Sequence, residues 1–147
     1  MHIQHVIDSC HKHIEKYYSE KRKGNRKELD FHNVITVSAK IADEFIHCAP
    51  DHKGKEHQHF YIYLEEIQEG DASLVDDTTI FVAVHYGDAE GIAEPIPNLN
   101  PGQPIIIKGK FVPARQAYKT EDNPGFPVLH FTHHPIGYII YDGVRYE

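Results

Sequence analysis

Cysteine is scarce in this chain of 147 residues: Cys10 and Cys48 are too few and too far apart for a disulfide framework or for the paired spacing of a zinc motif. Both read as buried thiols. Long hydrophobic runs are missing too. The longest are a few residues, such as Ile105-Ile106-Ile107, against the roughly 20 that a bilayer-crossing helix needs, so no membrane span is expected. The N-terminus, Met1 to Asp8, has neither the basic n-region nor the apolar h-region of a secretory signal, which makes the cytoplasm the expected compartment. No phosphate-cradling loop is present. The candidate Gly87-Asp88-Ala89-Glu90-Gly91 is acidic and lacks the required lysine or third glycine, which argues against nucleotide-dependent chemistry. None of Ser9, Ser19, Ser38 and Ser73 sits in a nucleophile elbow, and neither cysteine has activating flanks, so a nucleophilic triad is poorly supported.

What is present is the composition of an ordinary globular protein, 40% hydrophobic and 25% charged. The length suits one domain that buries roughly 68–70% of its unfolded surface. Histidine is abundant, with 13 residues, so the charge of the chain responds to pH between about 5 and 8. Charge is also divided unevenly. Residues 1–27 carry seven Lys/Arg against three Asp/Glu, whereas residues 28–147 carry eight against nineteen. Any reading that binds an anion must contend with that acidic body.

Ile3, Val6, Ile7, Cys10, Ile14 and Tyr17 recur at helical spacing and predict a helix over roughly 3–20. It runs into Lys21-Arg22-Lys23-Gly24-Asn25-Arg26-Lys27, which reads either as a solvated helix end and linker or as a phosphate-contacting arm. Residues 1–27 are thus a helix and basic linker, with the main domain over 28–147. From Phe31 the period becomes two. Ile35, Val37, Ala39 and Ile41 mark a first strand, and 57–67 a second, with Gln58, Phe60, Ile62 and Leu64 inward. The third spans 78–86, with Ile80, Val82 and Val84 on one face, the fourth 104–112 and the fifth 127–134. Residues 87–102 are broken by proline and glycine, with room for one helical turn near 89–93, and 113–125 form a polar loop. Asp142-Gly143 between β-rich flanks predicts a closing hairpin. The expected fold is mainly β: an OB-like five-stranded barrel with an N-terminal α-helix and a C-terminal β-hairpin.

Four stretches carry a resemblance: Gly54-Lys55-Glu56-His57-Gln58-His59-Phe60, Val82-Ala83-Val84-His85, Ile96-Pro97-Asn98-Leu99 with Gly102, and His130-Phe131-Thr132-His133-His134. With the closing Gly143-Val144-Arg145-Tyr146, they resemble an uncharacterised family of small bacterial proteins described only as a domain of unknown function with an OB-like barrel. The likeness covers about residues 54–146. The chain departs from the family pattern at Ala83-Val84-His85, where Val-Ala-His is expected, and at Pro135, where an Asp is expected first. The resemblance implies the barrel and no particular activity.

Three constellations could carry chemistry. His57 and His59 share a strand face, and a register placing His59 opposite His85 would gather three imidazoles able to hold zinc or a similar divalent metal. The alternative is three surface histidines. His130 and His134 are candidate acid–base groups. Tyr61, Tyr63 and Phe81, with Lys108 and Lys110, would form a stacking platform for single-stranded DNA or RNA, unless the tyrosines pack beneath the N-terminal helix. The leading functional expectation is an OB-fold protein binding single-stranded nucleic acid or an oligonucleotide-like ligand. A histidine-dependent metal phosphodiesterase and a module that forms homo-oligomers through its N-terminal helix are the alternatives.

Overall fold

The computed structural model describes residues 31–43, 56–87, 91–117, 119 and 123–147. The expected N-terminal helix, the 21–27 basic run and the 27/28 boundary lie outside the described residues. Seven strands follow in order: β1 (Val34–Ile41), β2 (Glu56–Glu69), β3 (Thr79–Tyr86), β4 (Pro104–Val112), β5 (Val128–His130), β6 (Tyr138–Tyr141) and β7 (Val144–Tyr146). The protein is mainly β. Among the described residues there is no α-helix, only a 3-10 turn at Ala72–Leu74, and no helix long and apolar enough to cross a membrane.

Five strands close a barrel in the order β1-β2-β3-β5-β4, with β4 returning to β1. Every pairing is antiparallel except β3 with β5. Where β5 stops on one edge of β4, β6 takes over, pairing Ile105 to Lys108 with Tyr141 to Tyr138. The expected hairpin joins β6 to β7 through Asp142 and Gly143, whose φ angles of 51° and 74° suit a tight primed turn.

The period-two pattern makes this barrel because it puts one aliphatic face inside. Ile35, Val37, Ile41, Phe60, Ile62, Ile80, Val82, Val84, Ile105, Ile107, Phe111, Leu129 and Ile139 are buried in one core. Each such burial contributes roughly 1.5–3 kcal/mol, and a one-residue slip of any strand would forfeit its whole share, so the parity is firmly set. Slips of two are not penalised in that way. The β2–β3 register pairs His57 with His85 and His59 with Ala83, two residues from the expected pairing of His59 with His85. The connection between the two strands is tightly built. Gly70 takes φ 104°, where an added Cβ would come within 2.7 Å of Ile35 Cγ2, and the Asp71 carboxylate accepts from Ser73 N at 3.0 Å to start the 3-10 turn.

Two further expectations are corrected. The fifth strand ends at His130 and not at 134, because Phe131 turns into the left-handed region at φ 52°. In the expected helical turn near 89–93, Ile92 instead bridges Tyr86 in parallel and donates to the His85 carbonyl at 3.1 Å. Residues 88–90 lie outside the description.

Candidate histidine site

The outer face of β2 and β3 alternates against the core and carries His57, His59, Tyr61 and Tyr63 beside Thr79, Phe81, Ala83 and His85. It has two unlike halves. In the half towards Tyr61, a second apolar cluster forms from Phe81, Ala83, Val112 and Val128, with Tyr61, Ala117, Phe126 and Phe131 packed on it. The Tyr61 ring stands edge-on to Phe81 at 5.6 Å and to Phe126 at 5.8 Å. The cover is the polar loop between β4 and β5, held at two points. The Asp76 carboxylate accepts from Ala114 N at 2.8 Å and from Arg115 N and Nη1, both at 3.2 Å. The Asn123 side chain accepts from Phe126 N at 2.7 Å and donates to its carbonyl at 2.8 Å. Burial pushes the Asp76 pKa up, but the donated amides of Ala114 and Arg115, with the Arg115 charge, outweigh it and leave the carboxyl below its ordinary value.

This packing bears on the five expected ligand contacts. Phe81 is 3% exposed and Lys110 2%, so neither lies on the surface. Tyr61 and Lys108 are half-buried, Lys108 between Thr36 and Tyr138 on β4, and Tyr63 alone is exposed. An open aromatic and cationic platform is therefore not what these five residues form. The chain's own loop covers its middle, and the N-terminal helix weighed above lies outside the described residues.

The other half holds imidazoles. His57 and His85 face each other across the β2–β3 pair, Nε2 of the first 3.3 Å from Nδ1 of the second, with ring centroids 4.8 Å apart. The irregular segment after β5 brings in a third, His133, its ring 5.9 Å from His85 and 5.7 Å from Phe131. His133 Nδ1 lies 2.9 Å from the His134 carbonyl oxygen. A carbonyl only accepts, so Nδ1 carries the proton, which in the neutral ring leaves the Nε2 lone pair for another partner. His59 keeps apart, fully buried with its ring edge-on to Phe81 at 4.6 Å. His130 is buried opposite Lys110, whereas His134 is exposed in the following turn, so the two expected acid–base groups are not brought to one surface.

His85 is closely confined. Gly91 crosses so near His85 that an added Cβ would meet the His85 carbonyl and ring Cδ2. Gln58 donates to the Ile96 carbonyl at 3.0 Å and accepts from Ile96 N at 2.8 Å, which ties two of the stretches singled out in the sequence together beside His57. Sequence reading singled out His133 within the His130–His134 stretch without bringing it to His57 and His85, and gave Gly91 no part beside them. The signal for His133 was Pro135 and Gly137, turn residues just after it. As the rings stand, no group of three His, Cys, Asp or Glu among the described residues is arranged to hold a metal ion. Comparison with protein-family models, with curated proteins and with solved structures returns no match.

Proposed function

We propose that the chain is an OB-type ligand-binding barrel whose ligand seat is the histidine end of the β2–β3 outer face, and that it takes single-stranded nucleic acid or a similar phosphate-bearing chain. The carrying observation is the meeting of His57, His85 and His133 from three separate segments on the face of strands two and three. That is the face OB barrels use for oligonucleotides, and the strand order, with β5 parallel to β3, supports the comparison. Partly exposed Phe131 borders the seat beside His133, and Tyr63 is exposed further along β2. Bases stacking on such rings contribute about 1–3 kcal/mol each. The acidic body opposes phosphate, so the binding is weak.

The test is fluorescence anisotropy of labelled single-stranded DNA and RNA at low and physiological salt, with the wild type and His85→Ala. The reading expects weak binding that falls further in the variant. No binding at low salt, or binding indifferent to His85, overturns it.

A further inference from the structure

We infer that His57, His85 and His133 form a site for a first-row divalent ion of the zinc class, a proposal that rests on reading this end as the functional seat. The geometry begins with the facing pair. Two nitrogens bound to a tetrahedral zinc at about 2.0–2.1 Å stand about 3.3–3.4 Å apart, and His57 Nε2 and His85 Nδ1 are 3.3 Å apart. The contact that serves as a hydrogen bond between two imidazoles thus has the length of an edge of a coordination tetrahedron.

His133 supplies the second observation. A metal-bound histidine characteristically donates its other N–H to a carboxylate or backbone carbonyl, which fixes the tautomer and orients the ring. His133 Nδ1 already makes that bond to the His134 carbonyl. The cis His134-Pro135 peptide lies in the same turn, and Ile136 N and Gly137 N both donate to the His133 carbonyl, at 3.0 and 2.8 Å. Three segments distant in sequence thus bring imidazole rings into one neighbourhood, with no carboxylate in the set. An all-imidazole set suits zinc, nickel or copper and not magnesium or calcium. Binding requires the rings to rotate inward from where they stand, since they do not yet converge. Three protein ligands leave a fourth position open, where a phosphate oxygen of the proposed ligand would coordinate.

The ligand set differs from the His57, His59 and His85 of the sequence expectation. His59 packs its ring on Phe81 within the apolar half, its centroid 6.4 Å from His57.

The experiment uses the full chain, stripped by chelator and titrated with zinc by calorimetry, alongside His85→Gln, His133→Gln and the exposed-site control His134→Gln. The expected result is one zinc bound to the wild type, affinity lower by about tenfold or more in the first two variants, and no change in the control. X-ray absorption on the zinc-loaded wild type, which needs no variant to fold, should show three imidazole ligands. Absence of zinc binding, zinc held equally by all variants, or fewer than three imidazoles overturns the site. The oligonucleotide titration run in parallel separates the two ideas. Zinc binding without oligonucleotide binding sinks only the ligand reading, and His85-dependent oligonucleotide binding without zinc sinks only the metal site.

Discussion

The two halves of the β2–β3 outer face share strands, parity and aromatic content, yet one is packed with apolar rings beneath a loop and the other gathers imidazoles, with His57 and His133 buried and His85 half-buried. Tyr61 and Phe81 lie under a loop tied down by Asp76 and Asn123, while His57 and His85 meet His133 in an irregular turn. The difference teaches that alternation decides which side of a barrel a residue faces, whereas the connections decide whether that side is surface. An aromatic row on an outer face becomes a platform only if no loop finds it first.

The largest effect that sharpens this comparison lies beneath both halves. Leu129→Ala removes a fully buried side chain from the inner core, and urea unfolding should show a loss of about 2–5 kcal/mol. A loss under about 1 kcal/mol would mean that β5 is not part of the closed barrel. Next comes the histidine half. Gly91→Ala forces a Cβ against the His85 ring and carbonyl, and a destabilisation of about 1–3 kcal/mol is expected together with a changed His85 imidazole signal in NMR. An unmoved His85 signal would show that Gly91 does not position the ring.

The closed half is tested more gently. Asp76→Asn should cost about 1 kcal/mol at neutral pH, the modest value expected for a partly exposed carboxylate held by amides and one arginine. The sign with pH follows from the lowered pKa. The carboxylate's contribution is complete above its ordinary value of 3.8 and is lost as pH falls through the lower folded value, so wild type and variant should converge in acid. A gap that persists in strong acid would assign the effect to something other than the carboxylate charge. The smallest change has the opposite direction. The Thr132 hydroxyl is fully buried with no hydrogen-bond partner among the described residues, so Thr132→Val should stabilise by up to about 1 kcal/mol.

The sequence made the barrel legible where burial imposes parity. Phe60, Ile62, Ile80, Val82 and Val84 declare the inner faces of β2 and β3, and Asp142-Gly143 declares the last hairpin. Register was not legible, because a two-residue shift keeps every side chain on its face. It shows only in the pairing of His57 with His85. The site was half legible for the same reason. His57 and His85 were recognisable as face-mates, but which residues oppose each other was not, and His133 was hidden by a strand read four residues too long. Phe126 and Ala117 gave little warning that a polar loop would pack down on Phe81.

The most direct test of a single centre built from three segments is an imidazole nitrogen NMR spectrum of the full chain, recorded before and after one equivalent of zinc. The account predicts His133 in the Nδ1–H form at the outset, and signals of His57, His85 and His133 that move together on loading. His133 in the Nε2–H form, or zinc-induced shifts confined to other histidines, would contradict it.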